Sequence, residues 1–378
     1  GGALRSVTPT ELAEIAARAA LQAAKVGPEL VQSVVVGNAI QISADDTPII
    51  ARGIVGRLGI PINVPGLSVN IQCGSGFQAI INAAQDIMLN DCDITLAVGV
   101  ENMSLTPFML RGARFGVKLS QTPPLIDALW EGLKDHNCNL RMGETAEKLG
   151  QLWGVAREDA DRVALRSQQR WADAHKRGVF KEEIVPVPVK RKGRPVLFDT
   201  DEHPKPDTTA AMLAALRPVF AKDGSVTAGN ASGVNDGAGA LVLACEKAVS
   251  MHGLQPLARI VGSACVGVDP TIMGYGPVPT IRKVLEKTGL SLADMDVIEV
   301  NEAFGTQFAA VEKELALDKN KTNVNGSGIS IGHPLGATGA RIMTNLMYEL
   351  RRRNGKYALG SACIGGGQGI AIIIENVR

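Results

Sequence analysis

The sequence lacks an excess of charge of either sign. Lys and Arg together number 39 and Asp and Glu 38, which leaves a formal net charge of +1 over 378 residues. A chain without a basic surplus has no general electrostatic attraction for nucleic acid or for an anionic membrane surface. We therefore expect no nucleic-acid partner, and any anionic ligand has to be held by local contacts.

Metal-binding and disulfide patterns are also lacking. The six cysteines occur without C-x-x-C pairs or the histidine spacings of zinc sites, at positions 73, 92, 138, 245, 265 and 363. This distribution indicates neither a metal centre nor a disulfide framework, and it favours a reducing compartment. No Gly-Lys-Ser or Gly-Lys-Thr phosphate loop occurs, and no proper Gly-x-Gly-x-x-Gly dinucleotide pattern is formed.

Long hydrophobic runs are missing as well. Apolar stretches such as those at 94–100 and 370–374 are too short to cross a bilayer. We expect a soluble protein with no transmembrane segment. The chain opens at Gly1-Gly2 without a cleavable signal, and we expect that a targeting segment has been lost.

Glycine, by contrast, is abundant, with 42 residues, and apolar β-rich runs alternate with helical stretches. This pattern is typical of parallel sheets covered by helices, so the predicted class is α/β. From about residue 115 to about 218 the pattern changes to charged helices and a proline-bearing stretch. The change predicts an inserted loop domain.

The second part of the chain resembles the first. If Cys73 is aligned with His333, Gly76 falls on Gly336, and with nearly the same offset the segment 96–99 falls on 357–360. Together these matches predict a duplicated βαβ half whose equivalent turns face one another. A nucleophile and a base would then come from matching positions.

Cys73 is the first candidate for chemistry. It lies where a predicted strand turns into a predicted helix, and Gly74-Ser75-Gly76 follows it. A helix N-terminus favours a thiolate over a thiol, and glycines let a ligand approach the backbone. The alternative is a small buried residue that only fills space.

Two more candidates lie in glycine-rich segments. His333 is placed to deprotonate Cys73, although a loop histidine bonded to a carbonyl is an equal alternative. Cys363 is a second thiol beside three glycines, which is unusual for a residue that serves packing alone. The backbone N–H groups of Gly365 and Cys73 form a candidate oxyanion site.

Asn301 follows a predicted strand at 296–300, at the end where α/β proteins place their sites. Its amide is able to hold a water over a carbonyl oxygen, and a helix cap is the alternative role. The segment 226–237 consists almost entirely of small residues. It suits a channel for a narrow pantetheine-like ligand, with a turn-rich loop as the alternative.

Four motifs, taken in order, resemble the thiolase family over essentially the whole chain. They are Cys73-Gly74-Ser75-Gly76, Asn301-Glu302-Ala303-Phe304, Gly332-His333-Pro334-Leu335-Gly336 and Cys363-Ile364-Gly365-Gly366-Gly367-Gln368-Gly369. Within the family the likeness is closest to the mitochondrial 3-ketoacyl-CoA (acetyl-CoA acyltransferase) branch, through the segments 114–116, 167–171 and 226–239.

The resemblance implies an α/β fold of two duplicated βαβ halves, which form a layered α/β/α/β/α core with an inserted loop domain. It divides the chain into a first half at 1–116 and 220–253, a loop domain at 117–219 and a second half at 254–378. The loop domain is expected to bind substrate and coenzyme A and to make tetramer contacts. Relatives carry an opening strand before the Gly-Gly, so we expect a trimmed N-terminus.

The activity that the resemblance implies is reversible thiolytic cleavage of 3-oxoacyl-CoA by coenzyme A in fatty acid β-oxidation. Cys73 is then the nucleophile, His333 its activator and Cys363 the acid and base at the substrate α-carbon. Asn301 holds a water in one oxyanion hole together with His333, and the backbone N–H groups of Cys73 and Gly365 form the other.

The resemblance also implies ligand contacts. Coenzyme A contacts are expected from Ser232, Ala228, Phe220, Met142 and Leu133, with Phe304 near the acyl group. Coenzyme A and acetyl-CoA are expected as substrates, with no tightly bound cofactor. A homotetramer built as a dimer of dimers is expected in the mitochondrial matrix, with the cytosol or the peroxisome as alternatives.

Two other functions stay open at this point. One is an acetoacetyl-CoA thiolase that works in the condensing direction. The choice between this enzyme and one for longer substrates depends on the loop domain, which sets the acyl chain length. The other is a thiolase-like acyl-CoA carrier without catalysis, although a carrier need not retain both thiols and His333.

Overall fold

The first helix shows how local sequence sets an element boundary. The hydroxyl of Thr8 accepts a hydrogen bond from the backbone N–H of Glu11, and the Glu11 carboxylate accepts one from the N–H of Thr8. This capping box and Pro9 in the first turn predict a helix from here to about Lys25. The helix ends at Ala24, and Lys25 adopts the left-handed conformation that closes it.

The computed structural model describes residues 1–191 and 193–377, so Lys192 and Arg378, which belong to the predicted loop domain and second half, lie outside the described residues. Its strands are β1 (Ser33–Gly37), β2 (Gly66–Val69), β3 (Ile94–Asn102), β4 (Phe108–Leu110), β5 (Leu125–Asp127), β6 (Lys134–Asp135), β7 (Leu140–Arg141), β8 (Val187–Arg191), β9 (Arg194–Phe198), β10 (Asp236–Ala244), β11 (Ala258–Gly267), β12 (Met295–Val300), β13 (Tyr357–Ile364) and β14 (Gln368–Asn376). Its α-helices are α1 (Pro9–Ala24), α2 (Ile50–Leu58), α3 (Ser75–Met88), α4 (Ala128–Gly132), α5 (Met142–Trp153), α6 (Arg157–Lys176), α7 (Ala210–Ala214), α8 (Glu246–His252), α9 (Pro277–Thr288), α10 (Gly305–Glu314) and α11 (Thr338–Arg352). In the described part of the chain, no helix has both the length and the apolar character that crossing a membrane requires.

The first sheet has the strand order β2-β1-β3-β10. Strand β1 pairs in parallel with β2 and β3, and β10 runs antiparallel to β3. Val34 and Val36 pack with α1 and α2, whereas Val35 packs with α3 on the opposite face. Because helices cover both faces, every residue of β1 and β3 is buried.

The second sheet has the order β12-β13-β14-β11. Strand β12 is parallel to β13, and β14 is antiparallel to both β13 and β11. Leu359 and Ile373 pack with α9 on one face, and Ala358 and Ile372 pack with α11 on the other. Strands β12, β13 and β14 thus repeat the relations of β1, β3 and β10, which is the duplication expected from the sequence.

Helices α3 and α11 form the middle layer of the molecule. One apolar cluster joins Val35 of the first sheet, Phe77 of α3, Ile342 of α11 and Ile372 of the second sheet. With α1 and α2 outside the first sheet and α9 outside the second, the layers follow the order α/β/α/β/α. The predicted layered α/β fold is confirmed.

Glycine allows the two middle helices to touch backbone to backbone. A Cβ atom on Gly76 would lie 2.6 Å from the carbonyl oxygen of Gly336, and one on Gly339 would lie 2.0 Å from the backbone nitrogen of Phe77. Side-chain carbons do not approach backbone atoms so closely, so both positions require glycine. The contact brings the N-terminal ends of α3 and α11 together.

The two sheets differ at one edge. Strand β11 pairs with the outer edge of β14, but within the described residues no strand pairs with the outer edge of β10. This edge lines a cavity of about 460 Å³, which we call the β10 groove, together with one side of α1. The floor of the β10 groove includes Arg341 and Asn345 of α11.

Between β3 and β10 the chain leaves the sheet. Residues 103–235 contain the short hairpins β4–β5, β6–β7 and β8–β9, together with α5 and α6, which pack on α10. This is the insertion expected from the change in sequence pattern. The finer limits of 117 and 219 stay a prediction.

We expect the replacement of Gly339 by alanine to lower the free energy of unfolding by about 1–3 kcal/mol or more, because the added methyl group meets backbone that cannot rotate away. Urea denaturation followed by circular dichroism measures the change. Gly56→Ala in α2 is the matched control, because among the described residues no atom outside its own stretch of helix lies within 4 Å of its Cβ position. That variant should be stabilised by about 0.5–1 kcal/mol, and an equal response of the two variants would contradict the close contact.

Candidate active site

Cys73 lies in a tight turn between β2 and α3, as the sequence predicts. The hydroxyl of Ser75 donates to the carbonyl of Gln72 at 2.7 Å and accepts from the backbone N–H of Ile71 at 2.9 Å. These two bonds fix the turn, in which Gln72 has a positive φ of 50°. Cys73 is 8% exposed and packs among Ala39, Met103 and Leu335.

The thiol of Cys73 is held in its protonated form. Burial raises its pKa to about 11, although the backbone N–H groups of Gly365 and of Cys73 itself point at the sulfur and pull the pKa down. The sequence-based expectation that the turn favours the thiolate is therefore wrong, because desolvation outweighs the two N–H groups. The same N–H groups form the oxyanion site that the sequence suggests.

His333 comes from the loop before α11 and is 4% exposed. Its backbone N–H donates to Oδ1 of Asn235 at 3.0 Å, and its Nδ1 lies 2.6 Å from the hydroxyl of Thr338. Burial lowers its pKa to about 3, and the charge of Arg341 acts in the same direction. The ring is thus neutral, as a general base must be before it accepts a proton.

Asn301 brings an amide to the imidazole. It follows β12, its backbone N–H donates to the carbonyl of Ser361, and its Nδ2 lies 3.3 Å from both ring nitrogens of His333. Its Oδ1 is buried and has no hydrogen-bond partner among the residues that the structure describes. Helix α10 begins at Gly305 with Phe304 as the capping residue, so Asn301 does not cap it and that alternative is wrong.

Cys363 lies at the end of β13, opposite Gly369 in the β13–β14 hairpin, and is fully buried. It is part of strand β13, because the hairpin pairing continues to Ile364. Burial raises the pKa of its thiol well above the usual range, and the nearby charge of Cys73 adds to this. The two thiols from the two halves therefore lie within electrostatic reach of each other.

Glu101 joins the two halves next to this site, and sequence analysis missed it. Its carboxylate accepts hydrogen bonds from the side chain of Asn38, from the backbone N–H groups of Ala39 and Ile40, and from that of Gly336, at 2.8–3.1 Å. Burial raises its pKa to about 7 against the effect of these donors. No local motif identifies it, since its partners come from distant parts of the chain.

The residues expected to bind coenzyme A fall into two groups. Phe304 and Met142 pack against the apolar cluster around Cys363, Leu133 packs against the cluster around Cys73, and the ring of Phe220 meets that of Phe304 edge-on at 6.4 Å. The backbone N–H of Ser232 donates to the carbonyl of Ala303. Ala228 is exposed, and its role stays a prediction.

Trp130 and Arg141 extend this lining and were missed. The rings of Trp130 and Phe220 stack at 6.4 Å, and the guanidinium of Arg141 lies 4.9 Å from the centre of the Trp130 ring. In a chain with 4% aromatic residues, a tryptophan next to a charged segment is the signal that could have indicated them. Within the described ranges, no three His, Cys, Asp or Glu side chains are grouped to hold a metal ion.

Comparison with known proteins places the whole chain. Residues 1–247 match the family model "Thiolase, N-terminal domain", and residues 254–376 match "Thiolase, C-terminal domain". The chain belongs to the thiolase family. Strands β1 to β10 thus fall in the N-terminal thiolase domain and β11 to β14 in the C-terminal one.

Thiolases of known structure and sequence support this at full length. The chain is 55% identical to the mitochondrial 3-ketoacyl-CoA thiolase of Bos taurus, covering 100% of the chain and 94% of that relative. The crystal structure of the human mitochondrial 3-ketoacyl-CoA thiolase superposes with a TM-score of 0.98 at 52% identity, covering 100% of this chain and 95% of that one. The acetyl-CoA acetyltransferase of Bacillus anthracis gives a TM-score of 0.96 at 48% identity, with the same coverage. The expected family and fold are confirmed.

Because burial raises the pKa of Cys73 to about 11, we expect its alkylation by iodoacetamide to speed up steadily from pH 7 to pH 10 without levelling off. Peptide mass spectrometry measures the rate at this cysteine, and saturating acetyl-CoA should slow it. In the urea-unfolded chain the same rate should level off near the ordinary cysteine pKa of about 8.5. A plateau at or below that pH in the folded protein would show a stabilised thiolate instead.

Proposed function

We propose that the chain catalyses reversible thiolytic cleavage of 3-oxoacyl-CoA by coenzyme A, which yields acetyl-CoA and a shortened acyl-CoA in fatty acid β-oxidation. One observation carries the proposal: two buried thiols from different halves interact electrostatically, and Cys73 packs against Leu335, two residues beyond the buried, neutral His333. Relatives more than half identical to the chain are named for this activity. An acyl-transfer reaction needs a nucleophile, and carbon–carbon cleavage needs a separate acid.

The first step uses Cys73 and His333. The imidazole takes the Cys73 proton as the sulfur attacks the 3-keto carbon, and the oxygen of that carbonyl becomes an anion. The backbone N–H groups of Gly365 and Cys73 lie at the sulfur and are placed to stabilise this oxygen. Cys73 and His333 are both buried and neutral before the substrate binds. Charge therefore forms at this site only when the carbonyl oxygen of the substrate becomes an anion.

The second step breaks the carbon–carbon bond. The tetrahedral intermediate collapses to a thioester on Cys73, and acetyl-CoA leaves as its enolate, which receives the proton of Cys363. The raised pKa of Cys363 suits this step, since the residue stays protonated until a strong base is present. Asn301 and His333 are proposed to stabilise the enolate oxygen, with a water held by Asn301. Coenzyme A then attacks the thioester as its thiol proton passes to the Cys363 thiolate. The Cys73 sulfur leaves and recovers its proton from His333, which restores both thiols and the neutral ring.

Coenzyme A binding is proposed for the wall formed by Met142, Phe220, Leu133 and Phe304, with Ser232 and Ala228 on the adjoining segment. The wall lies between the clusters around the two thiols, which suits an apolar pantetheine arm. A relative, the human mitochondrial 3-ketoacyl-CoA thiolase, has been solved in complex with CoA. No tightly bound cofactor enters the proposed reaction.

We also propose a mitochondrial matrix location, a homotetrameric assembly and a loop domain at 117–219 that contributes to both substrate binding and assembly. The relatives named for a mitochondrial location support the first. Sedimentation analysis of the protein tests the homotetrameric assembly. Deletion of the β4–β5 hairpin tests whether the insertion contributes to that assembly.

We expect Cys363→Ala to separate the two steps. Exchange of acetyl groups between acetyl-CoA and labelled coenzyme A should survive substantially, because acyl transfer needs only Cys73, His333 and an oxyanion site. Thiolysis and condensation should fall by roughly 10²- to 10⁴-fold, the range for a lost general acid or base. Radiolabel exchange and a spectrophotometric thiolysis assay measure the two activities.

Two variants control this experiment. Cys73→Ala should abolish both activities, and Cys265→Ala, a half-buried thiol of β11, should leave both intact. Circular dichroism checks that each variant is folded. Loss of exchange in Cys363→Ala as complete as in Cys73→Ala would overturn the proposed division of roles.

The acetoacetyl-CoA alternative has support of its own, since acetyl-CoA acetyltransferases are also among the relatives, such as that of Chromobacterium violaceum at 44% identity. A comparison of kcat/KM for 3-oxoacyl-CoA substrates from the shortest to long acyl chains decides between them. Activity confined to acetoacetyl-CoA would favour the alternative. Absence of thiolysis with every substrate would favour the carrier.

A further inference from the structure

The side chain of Thr338 lies against the imidazole of His333. It is the first residue of α11, is completely buried, and places its hydroxyl oxygen 2.6 Å from Nδ1 of the ring. The same hydroxyl lies 3.0 Å from the backbone carbonyl oxygen of Pro334, one turn back. One hydroxyl thus faces a carbonyl, which can only accept, and a ring nitrogen, which can donate or accept.

A threonine hydroxyl has a single proton to donate. If that proton goes to the carbonyl of Pro334, the hydroxyl oxygen has to accept from Nδ1, and Nδ1 has to carry the proton of the neutral ring. Nε2 is then left with a free lone pair. If the hydroxyl donated to Nδ1 instead, the ring proton would be on Nε2.

The bond from the hydroxyl to Pro334 decides between the two arrangements. The hydroxyl donates to that carbonyl at 3.0 Å, so its oxygen accepts from Nδ1 of the ring. The amide Nδ2 of Asn301 lies 3.3 Å from both Nδ1 and Nε2 and does not distinguish the two tautomers. With the proton on Nδ1, the lone pair of Nε2 is free to accept the proton of a thiol.

We propose that Thr338 is a positioning residue that holds His333 in the tautomer protonated at Nδ1 and so leaves Nε2 as the base for Cys73. The proposal deepens the proposed function, on which it rests, since there His333 is the activator of Cys73. A second base is not needed, because the proton moves from the sulfur to Nε2 while Nδ1 keeps its bond to the hydroxyl.

The test is a pair of substitutions at one position. Thr338→Val keeps the shape of the side chain and removes the hydroxyl, whereas Thr338→Ser keeps the hydroxyl. Thr280→Val is the matched control, because Thr280 is equally buried in α9 and its hydroxyl donates to the carbonyl of Gly276 at 2.8 Å, one turn back, with no histidine among its recorded hydrogen-bond partners.

The first readout is independent of activity. In protein labelled with ¹⁵N-histidine, the ring nitrogen shifts of His333, assigned among the five histidines by their loss in His333→Asn, report which nitrogen carries the proton. We expect the Nδ1-protonated pattern in the unmodified chain, Thr338→Ser and Thr280→Val. Thr338→Val should show a large fraction of the Nε2-protonated form.

The second readout is the rate. Acetyl exchange and thiolysis should fall together in Thr338→Val, by roughly 10- to 100-fold as for other groups that orient a histidine, with KM for coenzyme A little changed. This differs from Cys363→Ala, in which only thiolysis falls. Thr338→Ser should recover most of both activities, and Thr280→Val should retain them.

The outcomes separate the two proposals. An unchanged tautomer in Thr338→Val, or the Nε2-protonated pattern in the unmodified chain, overturns the role of Thr338. A shifted tautomer with both rates reduced supports it. A shifted tautomer with both rates retained supports Thr338 as the residue that sets the tautomer and overturns His333 as the activator in the proposed function.

Discussion

The contact between the middle helices is the constraint on which the site depends. Gly76 and Gly339 let the backbones of α3 and α11 touch, so a turn from the first half and a loop from the second meet at their ends. Glu101 secures the same junction, since its carboxylate binds backbone N–H groups of both halves. Residues separated by some two-thirds of the chain are thereby held at contact distances.

The burial of Cys73 and His333 then determines their protonation. A buried thiol and a buried imidazole both resist charge, so the proton stays on sulfur until an acyl substrate enters and offers a site for the negative charge. Ionisation of Cys73 without an acyl substrate is therefore unfavourable, and the thiolate is the form that reacts with alkylating and oxidising reagents. The reactivity of the Cys73 thiol therefore depends, through electrostatics, on whether an acyl substrate is bound.

The parts of this structure that follow from local sequence could be predicted. The turn at Cys73, the strand before Asn301 and the repeat of the sheets have local patterns of glycine and apolar residues, and the four motifs identified the family. The protonation of Cys73 and the contacts of the Glu101 carboxylate could not be predicted in this way. Each depends on burial or on partners from distant segments, which periodicity and spacing do not contain.

The outer edge of β10 distinguishes the two sheets. Strand β14 has hydrogen-bonding neighbours on both sides, whereas β10 pairs on the side of β3 only within the described residues. An extended segment laid in the β10 groove would therefore meet a strand edge with which it can pair, and it would widen the sheet that leads to Cys73.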